Sequence, residues 1–225
     1  MILCDLPYGT TKNSWDHCID PKLLWEAYDR IRKPNAAVVL FGLDKFTASM
    51  MLFRQDIHRY NWIWEKGRPS GFLNGNKMPL RSHEDIMVFY DKLPVYHPQT
   101  TLGKFNHPRG QRAALQQNNN YGKFNGIDTG KGSGEKLPKS VLYFDKPHPP
   151  VHPTQKPIDL LRYLVRTYTN KGALVLDNCI GSGSTAIACV KEGRAFIGIE
   201  KNPKYVKLAT SRLIAIQQQP ELKFE

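Results

Sequence analysis

LVLDNCIGSGSTAIACVKEGRAFIGIEKN, residues 174–202, is the stretch on which the fold reading turns. An apolar run from Ala173 to Leu176 ends at Asp177, a glycine-rich turn follows, and a helical pattern runs through Ala186 to Lys191. A second apolar run, Ala195 to Ile199, ends at Glu200. Strand, tight turn, helix and strand in that order predict two parallel strands joined by a crossover helix. Gly181 and Gly183 let the backbone pass close to a ligand at the carboxyl edge of such a sheet. The helix behind them offers unpaired N–H groups. An acid at the tip of the next strand, Glu200, is placed to accept both hydroxyls of a ribose. The unit therefore reads as a nucleoside-binding half-site. Spelled as Gly181, Gly183 and Ala186 it also fits GxGxxA, so a nicotinamide-dependent oxidoreductase competes for the same residues.

Working outward, Asn202 and Pro203 predict the cap and first turn of a last helix carrying Tyr205, Leu208, Ala209, Leu213 and Ile216. Upstream, Ile158, Leu161, Val165 and Tyr168 mark a helix that follows Pro157. At the other end of the chain Ile2 to Cys4 is a short apolar run ending at Asp5. Asp20 and Pro21 open a helix with Leu24, Ala27, Tyr28 and Ile31, and Ala36 to Phe41 reads as a strand buried on both faces. A helix with Phe46, Met50 and Phe53 and strands at Tyr60–Trp64 and Ile86–Tyr90 complete the series. The expectation is an α/β fold: a Rossmann-like, mostly parallel sheet with helices on both faces.

The texture changes between Pro94 and Pro150, which is rich in Asn, Gln, Gly, Pro and His. From Lys92 to Lys146 there are nine basic residues and three acids, with Tyr96, Phe105, Tyr121 and Phe124 interleaved. Cations that neutralise phosphates, beside amides and aromatics that address bases, predict an inserted nucleic-acid-contacting lobe. Lys104, Arg109, Arg112 and Lys123 are its expected DNA contacts. The expected organisation is a catalytic half at 1–93, the insertion at 94–150 and a cofactor-binding half at 151–225.

Composition supports the same picture. Of 225 residues, 32 are Lys or Arg and 20 are Asp or Glu, a formal charge of +12 that favours a polyanionic partner. With 40% hydrophobic residues the chain is globular in character. No apolar run approaches the roughly 18 residues of a membrane span. The N-terminal MILCDLPYGTT has no signal-peptide pattern. None of the four cysteines forms a CxxC pair, which argues against a zinc ribbon or a dithiol redox site. Cys4, Cys179 and Cys189 are expected as buried free thiols in a reducing compartment, the cytoplasm of a bacterial or phage-infected cell.

Asp5-Leu6-Pro7-Tyr8 chooses between the cofactors. An acid, two carbonyls beside a proline and an aromatic ring at a strand end make a receptor for a flat ring bearing an amino group. The base stacks on Tyr8, and the Asp5 carboxylate and the Leu6 carbonyl accept the two N–H bonds of the amine. Holding both protons weakens conjugation of the nitrogen lone pair with the ring. Pro7 biases Leu6 toward extended geometry, which aims its carbonyl outward.

DLPYG, the following Trp15-Asp16, HPTQKP (152–157), LVLDNCIGSGSTAIA and FIGIEKN together resemble the amino-methyltransferases of DNA in the β order of motifs. The resemblance covers roughly 1–93 and 147–216. It implies a site-specific, base-flipping DNA methyltransferase that uses S-adenosylmethionine on double-stranded DNA, as in restriction-modification. Asp5, Leu6, Pro7 and Tyr8 would be the catalytic motif. Asp177, Cys179, Gly181, Ser182 and Gly183 would surround the methionine part of the cofactor, Glu200 would hold the ribose, and Thr154 and Lys156 would close over it. Trp64-Glu65-Lys66 and His83-Glu84-Asp85 would be scaffold. The acid at position 5 favours N6 of adenine over N4 of cytosine. The chain departs from the family at Leu6, where proline is usual, and at Asn178 and Cys179, where proline and phenylalanine are usual. No metal is called for, because a sulfonium loses its charge as the methyl leaves, and a homodimer is plausible by resemblance. The remaining rival is a nucleic-acid-binding protein with a decayed site.

Overall fold

Period-two alternation in the strands decides which side chains face which core. In a computed structural model of the chain, which describes residues 1–10, 16–103, 134–149 and 155–218, two compact units are present. One comprises Met1–His97 with Lys139–Glu225, and the other Pro98–Pro138.

The first unit opens with β1 (Ile2–Cys4), α1 (Pro21–Ile31), β2 (Val38–Gly42) and α2 (Asp44–Phe53). A long hairpin follows, β3 (His58–Ser70) and β4 (Arg81–Phe89). The second unit contributes a short antiparallel pair, β5 (Thr101–Leu102) with β6 (Glu135–Lys136). The first unit resumes with β7 (Val141–Phe144), α3 (Ile158–Tyr168), β8 (Leu174–Asp177), α4 (Ser184–Lys191), β9 (Ala195–Gly198) and α5 (Pro203–Gln217).

The sheet of the first unit has seven strands in the order β7-β3-β4-β2-β1-β8-β9. β1 lies between β2 and β8, parallel to both, and β9 continues parallel beyond β8. β4 is antiparallel to β2 and to β3, and β7 is parallel to β3, so six strands share one direction and β4 opposes them. The expected mostly parallel α/β sheet is therefore present. The crossovers from β1 and β8 leave in opposite directions, which opens a crevice at their carboxyl ends.

Leu3, Val39, Phe41, Trp62, Trp64, Ile86 and Val88 face one core, with Leu160, Leu161, Leu164 and Val165 of α3 and with Ala188 of α4. Ile2, Cys4, Val38, Leu40, Met87 and Phe89 face the other, with Leu24, Trp25 and Tyr28 of α1 and Phe46 and Met50 of α2. The indole N–H of the buried Trp62 donates to the Tyr168 hydroxyl at 2.7 Å, so the polar atom carried into the core is satisfied. Two caps expected from sequence are formed. The Asp20 side chain accepts from Lys22 N at 2.8 Å and that of Asn202 from Lys204 N at 2.9 Å, each worth about 1 kcal/mol.

Two details differ from the expectations. β3 and β4 run well past Trp64 and Ile86, because hydrogen bonding continues through polar residues that carry no apolar signal. Cys179 is half-buried, not buried, since it lies in the turn after β8. Burial pushes the Cys4 thiol well up and the Cys189 thiol to about 12, so neither ionises at neutral pH. Thr154, Lys104, Arg109, Arg112 and Lys123 lie outside the described residues.

Candidate active site

A cavity of about 620 Å³ opens at the carboxyl ends of β1 and β8, a size that suits a small-molecule ligand. Asp5 and Pro7 line it just after β1, Asp177 at the end of β8, and Cys179, Gly181 and Ser182 from the turn that follows. Glu200 and Tyr205 line it after β9 and in α5, and Lys156 from the segment before α3. Residues more than 170 positions apart in sequence converge because β1 and β8 are neighbours.

The glycine turn has a steric basis. Gly183 has φ +82°, and a Cβ there would lie 2.8 Å from the Ala209 Cβ, so α5 approaches α4 at this point. Arg212 of α5 donates to the Ser182 carbonyl at 2.5 Å and to its hydroxyl at 3.0 Å, which fixes the turn from behind. Glu200 is held by backbone: Gly181 N donates to Oε2 at 2.9 Å and Asn202 N to Oε1 at 2.8 Å. Each oxygen keeps lone-pair capacity toward the cavity. The Asp177 carboxylate accepts from Cys179 N at 3.0 Å. Burial pushes its pKa up to about 6, although hydrogen bonds from Thr185 and Cys179 oppose the rise. Asn178, where the family pattern differs, accepts from the Tyr28 hydroxyl at 2.6 Å and ties the turn to α1.

At the β1 end the Leu6 side chain is buried in the core. Asp5 is engaged on both oxygens. The Tyr8 hydroxyl donates to Oδ1 at 2.6 Å and the Lys156 ammonium to Oδ2 at 2.5 Å. Burial raises the Asp5 pKa and Glu84 adds to the rise, with Lys156 opposing both. Lys156 is raised despite burial, because Asp5 and Glu84 stabilise its charge. The Tyr8 ring leans on Phe46 with centroids 4.8 Å apart.

Asp16 does more than the sequence suggested. Its two oxygens accept from Gly9 N at 2.8 Å and Thr10 N at 2.9 Å, and Cys18 donates to the Tyr8 carbonyl at 2.9 Å. The backbone at Tyr8–Thr10 is thereby held by Asp16 and Cys18. An acid seven residues beyond Gly9 is a weak signal, since nothing local predicts a loop closing on one carboxylate. Lys66 and Glu84, expected as scaffold, lie in the same charged cluster: Lys66 Nζ is 2.7 Å from Glu84 Oε1, and Lys156 Nζ is 3.3 Å from Glu84 Oε2.

A family model described as DNA methylase matches residues 1–211. The type II methyltransferase M.HpaI of Haemophilus parainfluenzae is 28% identical over 227 residues, spanning 95% of this chain and 67% of that protein. DNA adenine methyltransferase YhdJ of Escherichia coli (strain K12) is 45% identical over 62 residues, 28% of this chain and 21% of that protein. Among solved structures, that of the M1.HpyAVI–SAM complex superposes with a TM-score of 0.61 at 24% identity, over 94% of this chain and 87% of that one. The PvuII DNA methyltransferase, titled cytosine-N4-specific, superposes with a TM-score of 0.63 at 14% identity, over 99% and 80%. These superpositions establish a shared fold.

Proposed function

Because this chain belongs to the DNA methylase family, we propose that it moves a methyl group from S-adenosylmethionine to the exocyclic amine of a base in double-stranded DNA, with N6 of adenine as first choice. One observation supports this above others: Asp5 lines one cavity with Gly181 and Ser182 of the glycine turn.

The donor set fits that cofactor. Glu200, held by two backbone amides at the tip of the strand after the turn, presents acceptors suited to a ribose. Asp177, Cys179, Gly181 and Ser182 line the cavity, and the anionic Asp177 suits an ammonium. Lys156, assigned to cofactor closure by resemblance, spends its charge on Asp5 in this arrangement. When bound, the cofactor supplies an electrophilic methyl group on a sulfonium.

The target base must leave the duplex to reach this cavity. Its amine donates to the Asp5 carboxylate and the Leu6 carbonyl, and orientation toward the methyl supplies most of the rate gain. The surplus proton leaves to Asp5 or to water. Adenine is preferred because the first motif position is an acid, and a relative named as a DNA adenine methyltransferase matches locally at 45% identity. Likeness in fold to a cytosine-N4 enzyme keeps N4 of cytosine as the second reading. A family match that includes both Asp5 and Glu200 removes the reason for reading GxGxxA as a nicotinamide site.

DNA contact by the 94–150 segment, a homodimer and a cytoplasmic location belong to the same proposal. Among the described residues no helix is long and apolar enough to cross a membrane. Calorimetric titration with S-adenosylmethionine and NAD, combined with sequencing of genomic DNA from cells expressing the chain, tests the reading. Binding of S-adenosylmethionine alone and N6-methyladenine at a defined site are expected. NAD binding, or unmodified DNA, contradicts it.

A further inference from the structure

Behind Asp5 lie three further charged groups, Lys156, Glu84 and Lys66, joined to it in one chain of ion pairs. The alternation of the sheet builds it. Asp5 continues the column of Leu3, Lys66 that of Trp62 and Trp64, and Glu84 that of Ile86 and Val88. All these apolar residues face the same core, so the three charged ones form a polar cap at its carboxyl end. The register agrees, with Glu84 opposite Trp64 and Phe41 opposite Ile86. Lys156 enters above the Phe41 ring, 5.0 Å from its centroid.

The cap is deeply buried. Lys66 is 5% exposed and Lys156 7%, and two unpaired ammonium groups at such depth would be untenable. Glu84 lies between them, with Oε1 at 2.7 Å from Lys66 and Oε2 at 3.3 Å from Lys156. Lys156 in turn reaches Asp5 Oδ2 at 2.5 Å. Signs alternate along Lys66, Glu84, Lys156 and Asp5, and formal charges cancel. Among the described residues Glu84 Oε2 accepts no hydrogen bond in good geometry. Its hold on Lys156 is therefore that of a counter-ion placed to fix where the ammonium sits.

We propose that Glu84, backed by Lys66, is a positioning residue for methyl transfer: it holds the Lys156 ammonium against one oxygen of Asp5 and thereby sets the orientation and ionisation of the carboxylate that receives the target amine. The inference rests on the proposed function and assigns to β3 and β4 a part in its chemistry. Neither residue lines the cavity, so both act through Lys156. Lys66 keeps Glu84 anionic from the far side, and the Glu84 pKa is lowered even though burial, the largest influence on it, acts the other way. The other groups facing this cluster are Tyr8, Lys146 after β7, and Asp177 on β8.

The test is Glu84→Gln, which keeps the shape and removes the charge. Glu84 raises the Asp5 pKa, so its loss leaves Asp5 beside an excess of positive charge and lowers that pKa. Three readings are expected. Carbon-13 titration of the Asp5 carboxyl in the ligand-free protein moves to lower pH. The acid limb of kcat follows it downward, and kcat at neutral pH falls about tenfold or more, as loss of alignment costs. The dissociation constant for S-adenosylmethionine stays within about threefold, because Glu84 does not line the cavity and Asp177, Gly181, Ser182 and Glu200 are unchanged. An unmoved Asp5 titration, or a loss of cofactor affinity parallel to the loss of rate, overturns the proposal. Lys66→Met is the second variant, read in the same way: among the described residues Lys156 is left as the one cation in ion-pair contact with Glu84, kcat falls several-fold, and cofactor affinity is retained. A wild-type protein that transfers no methyl group contradicts the proposed function, whereas the carboxyl titration reports on this inference independently of activity.

Discussion

Asp5 holds its carboxylate between a phenol and an ammonium, and both can be removed singly. Asp5→Ala should abolish methyl transfer, a loss of at least about a thousandfold, as expected when the acceptor that orients the amine is gone. Calorimetry should still find S-adenosylmethionine affinity within a few-fold of wild type. Tyr8→Phe should shift the acid limb of kcat upward, because the Tyr8 hydroxyl bond helps lower the Asp5 pKa; a pH–rate profile checks it. Asp177 obeys the opposite logic. Its pKa is pushed up from 3.8 to about 6 in the fold, so the folded state carries a cost above that pH that vanishes as the group protonates. Asp177→Asn should therefore stabilise the protein at pH 8 by about 1–3 kcal/mol, with the gain fading as the pH falls toward 4. The same change should weaken cofactor binding. Denaturant unfolding at the two pH values, beside calorimetry, reads both effects.

Among the elements, the turn after β8 was the most legible. An apolar run ending in an acid, two glycines and a helix can hardly be built otherwise, and the turn stands where the spacing put it. Why Gly183 must be glycine needs coordinates: α5 comes within contact of it, and sequence carries no trace of that approach. Gly183→Ala should cost about 1–3 kcal/mol through backbone strain and the clash with Ala209, a fall in Tm of roughly 3–10 °C for a chain of this size. A thermal melt measures it. The hairpin of β3 and β4 was half legible. Its apolar parts were seen, but Lys66 and Glu84 were expected only as scaffold. The signal was present, since each sits two residues along from a buried Trp or Ile and so points into the core. Charge masked it, because buried ions are rare enough that exposure is the default reading.

At the scale of the molecule, the order of the strands carries the account. β1 and β8 come from opposite ends of the chain, and their pairing brings the acid of one and the glycines of the other to one crevice. Separated motifs hinted at this convergence; only the sheet order demonstrates it. The formal charge of +12 gives a separate expectation for the intact chain. Its binding to duplex DNA of arbitrary sequence should weaken at least about tenfold between 50 and 200 mM salt, through counter-ion release. Fluorescence anisotropy over that range tests it, and a salt-independent affinity would speak against phosphate contacts. The central claim, that Asp5 and the glycine turn serve one transfer reaction, is tested most directly by incubating duplex DNA with S-adenosylmethionine labelled on its methyl group and analysing the digested nucleosides by mass spectrometry. The account predicts label on N6 of deoxyadenosine with the wild-type chain and none with Asp5→Ala, although both bind the cofactor. Label transfer that survives Asp5→Ala, or its absence from DNA when the wild-type chain has bound the cofactor, would contradict it.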